Sequence, residues 1–242
     1  MRVVYIMPGA VSRGPHGPAE LERRRGILQG WAVPGCEIAV VDLDQGPFSI
    51  ESSAEEYLAV PGVLRRVQEA ERDGFDAAIV GCYGDPGVDA CREIARIPVL
   101  APGECSMLVA ASLSHRFSIV TVLDSLLRPL EQLARSVGID SKLASVRSVG
   151  VPVLELARDP DSSFRSVLEA SRLAISQDRA DTIILGCMSM AFLGVSDRLQ
   201  GELGVPVVNP AVVTLKFAEM LVQSKLAPSK FAYPLPPKPL AL

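Results

Sequence analysis

The sequence predicts an α/β protein with two pseudo-symmetric lobes, each a mostly parallel sheet flanked by helices, with the active site in the cleft between them. Three observations predict it. Short apolar runs alternate with amphipathic stretches from end to end. A segment near residue 80 recurs near residue 185, and a cysteine closes the apolar run in both copies. Strand–helix alternation at this spacing makes βαβ units, hence parallel sheets covered by helices.

The expected strands are residues 3–7, 37–43, 77–81, 98–101, 117–122, 145–149, 182–186 and 205–208. The first run stops at Pro8 and Gly9. Arg23-Arg24-Arg25, beside Glu20 and Glu22, reads as the solvated face of a helix. Helical patterns cover 55–72, 88–96, 126–137, 162–178, 190–203 and 211–224. Asp85 fits the N-cap and Pro86 the first position of the helix over 88–96. Ser189 is placed to cap the helix over 190–203. The run Thr182-Ile183-Ile184-Leu185 has no polar alternation, which suits a strand buried on both faces.

The repeat organises the chain. Asp76-Ala-Ala-Ile-Val-Gly-Cys82 matches Asp181-Thr-Ile-Ile-Leu-Gly-Cys187, with Asp, Ile, Gly and Cys identical. Pro98-Val99-Leu100-Ala101-Pro102 matches Pro206-Val207-Val208-Asn209-Pro210. Arg2-Val3-Val4-Tyr5-Ile6 aligns more loosely with Arg116-Phe117-Ser118-Ile119-Val120. The expected first lobe is residues 1–100 plus 215–242, and the second is 101–214. Ligands bind such sheets at the carboxyl ends of their strands. Cys82 and Cys187 both follow a strand there, and a pseudo-twofold axis would set their thiols on opposite walls of one cleft.

Composition narrows the function classes. Of 242 residues, 48% are hydrophobic and 21% charged, a globular balance that excludes disorder. With only 5% aromatics, the core is built from Val, Leu, Ile and Ala. A formal net charge of −4 argues against nucleic acid and anionic membranes as partners. No apolar stretch reaches the ~20 residues of a membrane span, and the first run is too short for a signal-peptide core. The expected location is the cytoplasm, where thiols stay reduced. Five cysteines and two histidines show no metal-ligand spacing, so no metal site is expected.

Two facing thiols can invert a carbon stereocentre. One removes the proton and the other returns a proton from behind, so one must be ionised while the other is protonated. Thiols titrate near neutral pH and their pKa values move readily. Gly84 and Gly87 would let backbone N–H groups approach a substrate closely. Cys36, Cys91 and Cys105 read as packing residues, with Cys105 near enough to the expected cleft to line it. His16 and His115 have no partners in sequence and read as surface or boundary residues.

Gly81-Cys82-Tyr83-Gly84-Asp85-Pro86-Gly87 resembles the first-cysteine motif of the hydantoin and allantoin racemases, within the aspartate/glutamate racemase superfamily. Leu185-Gly186-Cys187-Met188-Ser189-Met190 resembles their second-cysteine motif. Gly46-Pro47-Phe48-Ser49-Ile50-Glu51, and the end of the chain at Ser229-Lys230 with Tyr233 and Pro234, are similar to further family segments. The resemblance implies a cofactor-independent racemase of a 5-substituted hydantoin or related cyclic ureide, with Cys82 and Cys187 as the acid/base pair. It implies backbone binding of ring carbonyl or amide groups around Gly81, Tyr83 and Gly84, with Thr121 near the substrate. It also implies a homo-oligomer acting on a small molecule.

Three departures fall around the expected pocket. Met7-Pro8-Gly9-Ala10 replaces an Asn-Pro-Asn-like turn, Met188-Ser189 replaces Ala-Gly, and Asn209-Pro210 replaces Asp-Gly. Pro8, Met188, Ser189 and Asn209 therefore join the expected substrate-binding set. Met188 is expected to narrow the pocket, and Asn209 to supply an amide missing at the first loop. Two other readings stay open on the residues. One is a superfamily decarboxylase or isomerase that uses a single thiol, arylmalonate decarboxylase-like or maleate isomerase-like. The other is a binder without turnover.

Overall fold

The computed structural model of the chain describes residues 1–238 and 240. The expected first-lobe segment 215–242 runs past this, since residues 239, 241 and 242 lie outside the described residues. The chain forms two compact units. One holds Met1–Ile50, Ala54–Ala101 and the described residues from Thr214 on; the other holds Glu51–Ser53 and Pro102–Val213.

In the first unit the order is β1 (Arg2–Ile6), α1 (Ala19–Trp31), β2 (Glu37–Val41), α2 (Ser53–Arg72), β3 (Ala77–Val80), α3 (Val88–Ile94) and β4 (Val99–Leu100). Its sheet runs β2-β1-β3-β4, all parallel. Helix α2 turns Ala59, Val63, Val67 and Ala70 onto Val4, Ile6, Ala78 and Val80. That spacing keeps one helical stripe on the sheet. The arginine run of α1 is not wholly solvated: Arg24 is buried, and its Nε donates to Glu20 at 2.7 Å. Burial pushes the Glu20 carboxyl up, but Arg23 and Arg24 outweigh it and hold the group down at about 2.

The second unit contains α4 (Pro102–Leu113), β5 (Phe117–Thr121), α5 (Leu127–Val137), β6 (Leu143–Ser148), α6 (Pro160–Asp178), β7 (Thr182–Leu185), α7 (Met188–Ala191), α8 (Ser196–Leu203) and β8 (Val207–Val208). Its sheet runs β6-β5-β7-β8, again all parallel. Phe164, Val167 and Ala174 of α6 pack with Val120, Ile183 and Leu185. Helix α9 (Pro210–Gln223) follows β8. In the first unit, its buried Glu219 accepts from the Val33 N–H at 2.8 Å. Further on, Lys230 Nζ donates to the carbonyls of Arg92, Glu93 and Ala95, closing the C-terminus of α3 with a cation.

The sequence repeat is also a hydrogen-bond repeat. Arg2 N–H donates to Asp76 at 2.7 Å, and Asp76 N–H donates back to the Arg2 carbonyl at 2.8 Å. Arg116 N–H donates to Asp181 at 3.1 Å, and Asp181 N–H returns at 2.8 Å. Both copies thus start their third strand, β3 or β7, against the first, β1 or β5.

Several boundaries differ from the expected ones. Strands β4 and β8 are two residues long because Pro102 and Pro210 follow closely as first helical residues and cannot donate to a ladder. The helix expected over 190–203 is two helices, broken where Gly194 turns left-handed at φ 71°. Strand β6 begins two residues early, at Leu143.

The glycines ahead of the two cysteines have no room for a side chain. A Cβ on Gly81 would lie 2.3 Å from Tyr5 Cζ, and one on Gly186 would lie 2.5 Å from Ile119 Cγ2. Tyr5 and Ile119 are aligned positions of the repeat and both are fully buried, so neither can swing aside. Gly81→Ala and Gly186→Ala are each expected to lower unfolding free energy by about 1–3 kcal/mol, read as an earlier urea midpoint. A wild-type midpoint would show that the packing yields without cost.

Candidate active site

The first thiol stands where β3 leaves its sheet. Gly81 N–H donates to the Ile6 carbonyl at 2.7 Å, extending the ladder one residue past the strand. Tyr5 Oη donates to the Gly81 carbonyl at 3.2 Å. Both backbone groups of Gly81 thus have partners within the chain. Cys82 N–H then turns back to the Val80 carbonyl at 2.8 Å, and Asp85 N–H donates to the Cys82 carbonyl at 3.2 Å. Cys82 itself is partly exposed.

The loop after Cys82 differs from its expected form. Asp85 does not cap α3. It is buried, with a left-handed backbone at φ 55°, and Gly87 at φ 68° is the N-cap residue. Helix α3 begins only at Val88, so five residues separate it from Cys82. Helix α2 braces this loop. Val60 Cγ1 lies 2.8 Å from where a Cβ on Gly87 would sit, and Glu56 Oε2 lies 3.0 Å from a Cβ on Gly84. Tyr83 is buried and Gly84 half-buried.

The second thiol sits at the matching place. Gly186 N–H donates to the Val120 carbonyl at 2.7 Å, and Thr121 Oγ1 donates to the Gly186 carbonyl at 3.1 Å. Thr121 thus holds the Gly186 carbonyl here as Tyr5 holds that of Gly81. From Cys187 the chain passes directly into α7, and Ala191 N–H donates to the Cys187 carbonyl at 3.1 Å. Ser189 lies inside α7 and does not cap a helix over 190–203; Cys187 occupies the position before the helix. Cys187 and Met188 are buried, and Ser189 is half-buried.

Asn209 has a different task from the expected one. Its Oδ1 accepts from the N–H groups of Ala211 at 3.0 Å and Val212 at 3.3 Å, and its Nδ2 donates to the Ala191 carbonyl and Ser196 Oγ. It caps α9 and ties α7 and α8 to it, so no amide hydrogen is left for a substrate. Pro8 is buried in a loop pinned to its neighbours, with Ala10 N–H donating to the Pro47 carbonyl at 2.9 Å.

The remaining cysteines are held as neutral thiols or packed away. Burial pushes Cys91 up to about 12, and burial with the nearby Glu219 carboxylate pushes Cys36 up. Cys105 is buried within α4. His16 and His115 are exposed. Sequence reasoning missed Tyr5 and Glu56. Tyr5 looked like one more apolar strand residue, and Glu56 like one of many helical carboxylates.

Two parallel four-stranded sheets, each with a cysteine behind an obligatory glycine at the end of its third-in-sequence strand, define a class: duplicated α/β isomerases. The chain belongs to the family described as Asp/Glu/Hydantoin racemase, whose profile matches residues 24–218. It is 38% identical over 201 residues to a hydantoin racemase of Pseudomonas sp. (strain NS671), covering 82% of this chain and 80% of that one. A hydantoin racemase of Rhizobium meliloti is also 38% identical, over 191 residues and 78% of both chains. The solved allantoin racemase from Klebsiella pneumoniae superposes with a TM-score of 0.91 at 32% identity, covering 100% of this chain and 96% of that one. The protein is a racemase, an isomerase in reaction class.

Asn209→Ala is expected to cost about 1–2 kcal/mol of stability while leaving the substrate KM unchanged. A raised KM at wild-type stability would instead put the amide on the substrate.

Proposed function

We propose that the protein racemises a 5-substituted hydantoin or a related cyclic ureide by two-base proton transfer, with Cys82 and Cys187 as the bases and no cofactor. One observation carries the reading. Each unit ends an equivalent strand with a glycine that admits no side chain, followed at once by a cysteine, in a chain 38% identical to named hydantoin racemases. A decarboxylase working through one thiol gives no reason to keep the second cysteine at the matching place.

The chemistry balances without a co-reactant. A thiolate takes the proton from C5 of the ring, and the C–H electron pair moves onto the adjacent carbonyl as an enolate. The other thiol gives its proton to the opposite face of C5, and the carbonyl re-forms. The two sulfurs exchange protonation states, and the next turnover runs the opposite enantiomer. The proposal requires both sulfurs to reach one carbon from its two faces. In this reading Tyr83, Gly84, Thr121, Met188, Ser189 and Pro8 line the substrate site, with Gly84 supplying an N–H to a ring carbonyl. Self-association belongs to the same reading, supported by large exposed apolar side chains at Tyr57, Leu58 and Phe231. A light-scattering mass of one chain would refute it.

The test is to incubate one enantiomer of a 5-substituted hydantoin, and separately of allantoin, with enzyme in D2O. Loss of optical activity with deuterium at the stereocentre is expected for at least one ring. Cys82→Ser and Cys187→Ser are each expected to slow racemisation by about 10²–10⁴-fold. If only one thiol mattered, a one-cysteine reaction would replace the two-base scheme. If neither ring exchanged above the enzyme-free rate, the ureide reading would fall.

A further inference from the structure

Glu56 lies in the third position after α2 begins and meets the loop that carries Cys82. Its Oε2, Cδ and Oε1 lie 3.0, 3.3 and 3.6 Å from the point where a Cβ on Gly84 would stand. Gly84 is two residues past Cys82. Val60, one helical turn further along α2, meets the same loop at Gly87. A carboxyl group so placed normally has an internal partner. Among the described residues Glu56 makes no hydrogen bond and no ion pair, and the Gly84 N–H makes no hydrogen bond. Among the described residues no buried side-chain oxygen is wholly cut off from solvent without a partner, so the Glu56 oxygens stay reachable.

A half-buried carboxyl with no internal partner is a liability to the fold. Burial pushes its pKa up, with no cation nearby to pull it back. Arg66 of the same helix is spent on the Asp42 carbonyl, Asp44 and Glu69. What would satisfy Glu56 is a donor arriving from outside the chain, beside the thiol.

We propose that Glu56 is a substrate-contacting, specificity-determining residue that accepts a hydrogen bond from a ureide N–H of the substrate. The inference rests on the racemase reading above and names the contact that selects the ring. A cyclic ureide presents N–H groups beside carbonyls. The Glu56 carboxylate and the Gly84 N–H offer the acceptor and the donor that such an edge needs. A substrate that presents a carboxylate there meets like charge and is rejected. The contact is made equally in ground and transition states, because the N–H is not the bond that breaks. Its loss should therefore act on KM rather than kcat.

The experiment compares wild type, Glu56→Gln and Glu56→Ala on one enantiomer of a 5-substituted hydantoin and on its N1-methyl and N3-methyl derivatives. Each protein's thermal midpoint is followed alongside. For Glu56→Ala, KM is expected to rise about tenfold or more, with kcat within about threefold and the midpoint not lowered. Wild type should be penalised by methylation at one ring nitrogen, and that penalty should vanish in Glu56→Ala. Glu56→Gln keeps an acceptor oxygen and should fall between the two. An unchanged KM, or a methylation penalty that survives Glu56→Ala, would overturn the proposal. So would a joint fall of midpoint, kcat and affinity, which would make Glu56 a brace for the loop. Wild type that racemises none of these hydantoins would sink the hydantoin reading itself, which is a different result from a wild type that turns over and does not need Glu56.

Discussion

Everything at the two strand ends depends on a missing side chain. At Gly81 and Gly186 the backbone lies against a side chain from the neighbouring parallel strand, with less space than a methyl group needs. The same residues extend the ladder one step past their strands, through N–H bonds of 2.7 Å to Ile6 and Val120. A hydroxyl from the first strand of each unit then holds the glycine carbonyl, from Tyr5 in one case and Thr121 in the other. With its N–H, its carbonyl and its α-carbon face all engaged, the glycine has one orientation available. That orientation fixes the point at which the next residue, the cysteine, leaves the sheet. A loosely held strand end would spread the sulfur over a range of positions, and proton transfer to carbon tolerates little of that.

Beyond the glycines the two copies part company. Cys82 is followed by a tight turn, a left-handed Asp85 and a five-residue approach to α3. Cys187 runs straight into α7. A left-handed non-glycine residue costs about 1–2 kcal/mol, and burial of Asp85 shows that the surroundings impose it. Strain of this kind collects where function needs a particular backbone. The first unit therefore carries the more specialised thiol loop, braced from α2 by Val60. The second carries the plainer one, braced by the Asn209 cap that joins α7, α8 and α9.

The architecture was legible because it is written in local and repeated signals. Apolar runs marked the strands, and the Asp-to-Cys repeat marked the equivalence of β3 and β7, matched in the structure by equivalent hydrogen bonds that Asp76 and Asp181 accept from Arg2 and Arg116 N–H. What could not be read required partners distant in sequence. Asp85-Pro86 has the sequence of a helix cap, yet Gly87 takes the N-cap position of the helix that begins at Val88, with α2 packed against the loop. Asn209 looked available because its partners, Ala191 and Ser196, lie over a dozen residues away. The Tyr5 hydroxyl that partners the Gly81 carbonyl comes from 76 residues upstream, on another strand. Glu56 had no sequence signal at all, since only the fold brings it to Gly84.

In the proposed two-thiol scheme, place in the fold separates a packing cysteine from an exchanging one. Cys91 is fully buried among the apolar residues of its unit, and its pKa of about 12 leaves almost no thiolate at neutral pH. Cys36 is raised for the same reason, reinforced by the negative charge of Glu219. Both lie on the body of the fold, where desolvation outweighs the nearby cations, Arg92 for Cys91 and the N-terminus and Lys216 for Cys36. Cys82 and Cys187 sit one residue past the last ladder bond of a strand, where the chain leaves the sheet; Cys82 is partly exposed, and Cys187 is buried within the core of its unit. The carboxyl ends of parallel strands are where such sheets take ligands, among the loops and helices that follow them. Here the cover is a short turn in one copy and a four-residue helix in the other. In the proposed scheme, chemistry at sulfur falls at strand ends, and the duplication supplies two.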